Sequence, residues 1–260
     1  MEDHNVYPIK VDRKKLGEED CGNLPPIPHL ILCVGKVKSG KSVMAVNLYT
    51  SERFYGKKFD IKVLLSPSAH SDAQYKEVLD EFDYVITDIT EDVLEELLDD
   101  IKKDDTDARY CFVFDDPIGS ITQKKSGKPD LLSALSTKYR HISNANGDEG
   151  KLSIFLATQY FKNLTPVLRN QATAYLLMGH FSNQELKSMG ECLSVFGGNG
   201  EKGFHELYKK SRKEPHDFLY LSMPQLAAYR NFDDKLWSEE DLYSKKDGSE
   251  TNGEGLQIAF

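Results

Sequence analysis

Leu30-Ile31-Leu32-Cys33-Val34-Gly35-Lys36-Val37-Lys38-Ser39-Gly40-Lys41-Ser42-Val43 is the stretch on which the fold turns. Its first five residues are apolar and read as a buried strand; the rest is a complete match to G-x-x-x-x-G-K-[ST]. The glycines let the backbone wrap so that successive N–H groups point at phosphate oxygens. The N-terminus of the following helix adds a favourable dipole. Lys41 is expected to reach the outer phosphates of ATP, and Ser42 to offer its hydroxyl to Mg2+. Gly35, Lys36, Val37, Lys38, Ser39, Gly40, Lys41, Ser42 and Val43 are therefore the expected nucleotide-binding set. The helical spacing of Lys41–Arg53 supplies the strand–loop–helix context that the motif requires.

Outward from this loop, short apolar runs alternate with helical patterns. Strands are expected at Ile61–Leu65, Tyr84–Thr87, Tyr110–Phe114, Leu152–Ala157 and Ala174–Met178, with a final strand at Phe218–Ser222. Helices are expected from Ser71, as cap, to about Phe82, then over Glu91–Lys103, Leu131–His141 and near Asn183–Leu193. This alternation predicts an α/β fold: a P-loop NTPase with a mostly parallel central sheet and helices on both faces. The strand–helix pattern inserted between the loop and Asp115 favours the RecA-like, additional-strand class. No repeat or linker is visible. The expected organisation is an N-terminal arm (1–28), one ATPase domain (29–223), and a C-terminal extension (224–260) with a disordered acidic tail.

Tyr110-Cys111-Phe112-Val113-Phe114-Asp115-Asp116 brings two carboxylates to the carboxyl edge of that sheet. Asp115 is the expected Mg2+ partner, and Asp116 the base or water-positioning group. Leu152–Ala157 ends in Thr158-Gln159, so Gln159 is expected to face the γ-phosphate or the attacking water. Lys138-Tyr139-Arg140-His141 ends a helix just upstream. Arg140 there could serve as a finger on a neighbouring subunit's γ-phosphate, or simply complement the helix dipole; Arg169 is the second candidate finger. His141 reads as structural.

Composition sets limits on these readings. The 260 residues carry 33 Lys+Arg against 42 Asp+Glu, a formal charge of −9, so any contact with nucleic acid must rest on local basic patches. No apolar run reaches the length of a membrane span, and Met1-Glu2-Asp3-His4 opens no secretory leader. Cys21, Cys33, Cys111 and Cys192 are scattered, without C-x-x-C spacing, and read as reduced thiols.

Taken together, GKVKSGKS (35–42), FVFDD (112–116), the Tyr-Arg-His helix end, and SIFLATQ (153–159) followed by LTPVLRNQATAYLLM (164–178) resemble the genome-packaging ATPases of large nucleocytoplasmic DNA viruses. That group includes the poxvirus packaging ATPase and belongs to the FtsK-HerA superfamily. The resemblance runs over about residues 28–222. It implies a homo-oligomeric ring, usually a hexamer, that threads double-stranded DNA into a capsid and docks on capsid protein at a packaging vertex. It also implies a location in the host cytoplasm, at the assembly site, and in the virion. By motif, Lys41, Asp116, Gln159 and Arg140 take the catalytic roles, while Ser42 and Asp115 hold Mg2+. One departure is Asp115-Asp116 where many relatives carry Asp-Glu; the shorter carboxylate reaches the water less directly.

DNA phosphates need Lys and Arg. Gln123-Lys124-Lys125-Ser126-Gly127-Lys128 is one basic loop, and Lys202–Lys213 a second segment with Lys202, Lys209, Lys210, Arg212 and Lys213. The alternative function is a P-loop kinase, or another NTPase acting on a small molecule or protein partner. It would share Lys41 and Ser42 but needs an arginine-rich lid, and only Arg109, Arg140 and Arg169 occur in the central chain. Asp116-Pro117-Ile118-Gly119 matches the D-x-x-G of a GTPase, yet no base-reading N-K-x-D follows a later strand.

Overall fold

All residues of Leu30–Gly35, Tyr110–Asp115, Leu152–Thr158, Ala174–Met178 and Phe218–Ser222 are buried, as strands covered on both faces must be. The computed structural model describes residues 19–117 and 130–244. In chain order the elements are β1 (Glu19–Cys21), β2 (Leu24–Ile27), β3 (Leu30–Gly35), α1 (Lys41–Thr50), β4 (Ile61–Leu65), α2 (Ala73–Lys76), β5 (Tyr84–Ile86), α3 (Glu91–Lys103), β6 (Tyr110–Asp115), α4 (Leu131–Lys138), β7 (Leu152–Thr158), α5 (Pro166–Gln171), β8 (Ala174–Met178), α6 (Asn183–Cys192), α7 (Gly200–Lys210), β9 (Phe218–Ser222), β10 (Ala227–Arg230), β11 (Asp234–Ser238) and α8 (Glu240–Ser244). Short 3-10 turns lie at Leu79–Glu81, Tyr139–His141 and Phe161–Asn163.

Nine strands form one sheet in the order β11-β10-β9-β8-β3-β7-β6-β4-β5. The pairs from β8 to β5 are parallel, and those from β8 to β11 antiparallel. Side chains alternate across the pleat. Leu30, Leu32 and Val34 pack on one face with Leu94 of α3, Leu132 of α4, Met189 of α6 and Phe204 of α7. Ile31 and Cys33 pack on the other with Ala45, Leu48 and Tyr49 of α1. The sheet therefore has helices on both sides, as the alternation of runs predicts. Local signals fix the helix starts: Thr90 caps α3, Asp130 caps α4, and Ser182 with Glu185 forms a capping box on α6.

Four features differ from the sequence expectations. The helix from Lys41 stops at Thr50, where Ser51 turns extended (φ −81°, ψ 130°). The helix expected over 71–82 is only the four residues of α2 and a 3-10 turn, because Val78 leaves the helical region (φ −131°, ψ 10°). An additional strand does separate the loop strand from the acidic strand, but it is β7, which carries Thr158; the inserted β4 lies outside β6. Finally, the sheet does not end at Ser222: β10 and β11 extend it, α8 follows, and β1 pairs with β2 in a separate hairpin. Residues 227–238 thus continue the central sheet past Ser222, and residues 19–27 form a hairpin outside it.

Candidate active site

The parallel register brings the chemistry to one edge. Gly35 pairs with Met178, Val34 with Thr158 and Asp115 with Ala157, so the loop after β3, the acids ending β6 and Gln159 after β7 all stand at the carboxyl ends of adjacent strands. They line an open cleft of about 1200 Å³.

Loop geometry explains its glycines. A Cβ on Gly35 would lie 2.3 Å from Ser39 Oγ and 2.9 Å from the Met178 carbonyl oxygen, and Gly40 sits at φ 96°. The Met44 N–H donates to the Gly40 carbonyl at 2.8 Å to open α1, whose N-terminus has no side-chain cap. Free N–H groups at that end attract an anion. Lys41 is only 8% exposed, and its Nζ donates to the Lys36 carbonyl at 3.2 Å. A buried ammonium with one carbonyl partner has two donors left for phosphate. Lys36 pairs with Glu185 of α6 at 3.1 Å, which ties the loop to the neighbouring helix.

Asp115 is buried. Its Oδ2 accepts from Ser42 Oγ at 2.8 Å and from Tyr75 OH at 2.9 Å. Burial raises its pKa above the ordinary carboxylate value; the hydrogen bonds from Ser42 and Tyr75 and the charge of Lys41 work the other way. Asp116 adopts φ 51°, uncommon for a residue with a side chain, and its carboxylate accepts from the Gln159 amide. Its own N–H donates to the Ala157 carbonyl at 3.1 Å. The two acids thus have different partners: Asp115 bonds Ser42, and Asp116 bonds Gln159.

The oxygen set fits Mg2+. Ser42 gives its proton to Asp115 and keeps lone pairs free, and a hydroxyl with a carboxylate suits a hard cation that takes its other ligands from phosphate and water. Among the described residues no group of three His, Cys, Asp or Glu side chains could cage a metal alone.

Tyr75 was not among the residues singled out in the sequence. In Ser71-Asp72-Ala73-Gln74-Tyr75-Lys76 a lone aromatic reads as core filling, and only the fold brings its hydroxyl to β6. Arg140 does not line the cleft. Its carbonyl accepts from the Gly150 N–H before β7, and its Nε donates to Tyr139 OH at 2.9 Å. The seven residues of β7, at ~3.3 Å each, put ~20 Å between that amino end and Gln159. Arg169 is also outside the cleft, lying over the Phe161 ring and donating to Cys192 Sγ at 2.9 Å. Lys202, Lys209 and Lys210 are exposed on α7, with Lys213 just beyond. The loop with Lys124, Lys125 and Lys128 lies outside the described residues.

A glycine-rich loop between β3 and α1, with acids on a strand separated from β3 by one other, defines a P-loop NTPase fold of the additional-strand class. The same fold occurs in the genome-packaging NTPase B204 of Sulfolobus turreted icosahedral virus 2. In complex with AMP that protein matches at TM-score 0.55 and 17% identity, over 78% of this chain and 96% of its own. Its complex with ATP-gammaS matches at TM-score 0.53 and 18% identity, over 77% and 94%. The DNA-packaging ATPase B204 of Sulfolobus turreted icosahedral virus matches at 0.51 and 17%, over 78% and 96%. At these identities the likeness is one of fold. No family model matches the chain, and no curated protein matches it by sequence.

Proposed function

We propose that the chain is an ATP-hydrolysing motor that moves double-stranded DNA, without reading its sequence, into a viral capsid. The observation that carries this reading is one sheet edge that joins Lys41, Ser42, Asp115 and the Asp116–Gln159 pair, in a fold shared with a genome-packaging NTPase. The loop N–H groups and Lys41 hold the phosphates. Ser42 and Asp115 would hold Mg2+, which would supply positive charge to offset that of the phosphates. Asp116 orients a water and takes its proton as the oxygen attacks the γ-phosphorus and the bond to ADP breaks. Gln159, now bonded to Asp116, reports whether the γ-phosphate is present.

Hydrolysis becomes movement only in an assembly. We infer a homo-oligomeric ring, hexameric by resemblance, that docks on capsid protein at a packaging vertex and works in the host cytoplasm and the virion. Arg140, on the edge of the sheet away from its own cleft, is the candidate finger for a neighbour's site. Lys202, Lys209, Lys210 and Lys213 are candidate phosphate contacts, together with Lys124, Lys125 and Lys128. The test is ATP turnover with and without double-stranded DNA of unrelated sequences. Stimulation by each duplex, falling steeply with salt as counterions are released, supports the motor. A turnover rate indifferent to DNA in an assembled ring contradicts it and favours a kinase-like activity.

A further inference from the structure

We propose that α7 reads whether the P-loop is occupied, through the turn Gly179–Glu185, and grips nucleic-acid phosphate while any nucleotide with a β-phosphate is seated there. Glu185 and Tyr208 are the positioning residues of this link. The link rests on the NTPase reading, and its nucleic-acid end rests on the motor reading.

The loop is held from outside at two points, and both belong to the turn after β8. Gly179, at φ 79°, lies directly on the loop: a Cβ there would stand 3.0 Å from Ser39 Cβ. At the far end of the turn, the Glu185 carboxylate pairs with Lys36 at 3.1 Å. The same Glu185 oxygen accepts from the N–H and the hydroxyl of Ser182, each at 2.8 Å. The capping box of α6 therefore fixes the carboxylate before Lys36 reaches it, so the pair does not have to order two free side chains.

Filling the loop must disturb Lys36. Its carbonyl accepts from the Ser39 N–H at 3.1 Å and from Lys41 Nζ at 3.2 Å. A seated phosphate draws on those same donors, the loop N–H groups and the Lys41 ammonium. The loop N–H groups cradle the α- and β-phosphates. The γ end belongs to Asp116 and Gln159, which follow β6 and β7 on the opposite side of β3 from β8. The turn after β8 therefore responds to filling of the loop, not to cleavage of the γ-phosphate.

From the turn the path enters α7. The Gly179 carbonyl accepts from Tyr208 OH at 2.7 Å, and the Phe181 ring lies 5.8 Å from the Tyr208 ring. Tyr208 is buried, while Lys209 and Lys210 beside it, with Lys202 and Lys213, are exposed. The helix thus holds the turn with one face and presents ammonium groups on another. A ligand that orders the turn lowers the cost of ordering α7 for the second ligand, so each tightens the other. In a cycle, the duplex is released when ADP leaves the loop rather than when ATP is cleaved.

Hydrogen exchange of the full chain, with ADP and separately with ATPγS, reads the link directly. Both nucleotides should slow exchange in α7 about fivefold, and both should tighten binding of duplex DNA by a similar factor. Tyr208→Phe keeps the ring and loses the bond to Gly179. Glu185→Gln keeps the capping box, which accepts glutamine, and loses the charge facing Lys36. Each variant should bind nucleotide within about twofold of the parent and yet lose both responses. A merely structural role would lower the melting temperature and leave the responses in place. A response to ATPγS but not to ADP overturns the proposal and moves the signal to the Gln159 side. Folded variants that respond like the parent overturn it as well. If neither nucleotide slows exchange in the loop itself, the NTPase reading fails and the link falls with it. If α7 responds but binds no duplex, the motor reading and the nucleic-acid end of the proposal fail, and the occupancy link is upheld.

Discussion

Asp115 holds the tightest constraint in the site. A buried carboxylate is expensive unless its oxygens are bonded, and here one oxygen accepts two hydroxyl protons, from Ser42 and from Tyr75. Ser42 lines the cleft, whereas Tyr75 is fully buried and donates to the same carboxylate oxygen. Tyr75→Phe removes that one bond and keeps the ring. ATP affinity measured with Mg2+ should fall about tenfold, the worth of one hydrogen bond to a charged group (roughly 1.5 kcal/mol), and affinity measured with EDTA should not move. A loss of the same size under both conditions would reduce Tyr75 to packing. The acids were legible in sequence because five apolar residues precede them; Tyr75 was not, since nothing around it distinguishes a partner of Asp115 from a core aromatic.

At the scale of elements, α1 is anchored to β3 from beneath. His29, just before β3, is fully buried, and its Nε2 lies 2.8 Å from Tyr49 OH on α1. Burial lowers its pKa from 6.5 to about 3. The unfolded chain therefore binds a proton that the folded chain refuses. The stabilisation is complete above about pH 6.5 and is lost as pH falls toward 3, on the order of 3 kcal/mol by about pH 4. Denaturant titrations of the chain and of His29→Gln should show that slope in the first and a flatter one in the second; parallel curves would mean His29 does not control it. The strands β3, β6, β7 and β8 were legible as mostly apolar runs, broken in β7 only by Ser153 before Thr158. β10 and β11 were not: Ala227-Ala228-Tyr229-Arg230 has no β-branched residue, and Asp234-Lys235-Leu236-Trp237-Ser238 is half polar. They pair because β9 offers an open edge.

For the whole molecule, the proposed ring gives the two ends of the parallel strands different tasks. The carboxyl edge holds the cleft, while Arg140 stands at the amino end of β7, out of reach of its own site. The proposed ring would turn that end toward a neighbour's site. Arg140→Ala should slow hydrolysis in the assembled ring by roughly 10³-fold, with ATP affinity of the single chain kept. Mixing it with Lys41→Ala chains should restore part of the rate, because a Lys41→Ala neighbour still offers its arginine to an intact loop. Mixed rings that stay inactive would transfer the role to Arg169.

Steady-state ATP hydrolysis by the intact chain and by Lys41→Ala, each with Mg2+ and double-stranded DNA, tests most directly whether the carboxyl-edge cleft is a working NTPase site. Lys41 is the first residue of α1 and belongs to neither apolar core, so the variant should melt like the parent while its turnover drops to the uncatalysed background. A Lys41→Ala chain that hydrolyses ATP at the parental rate would contradict the assignment of this cleft.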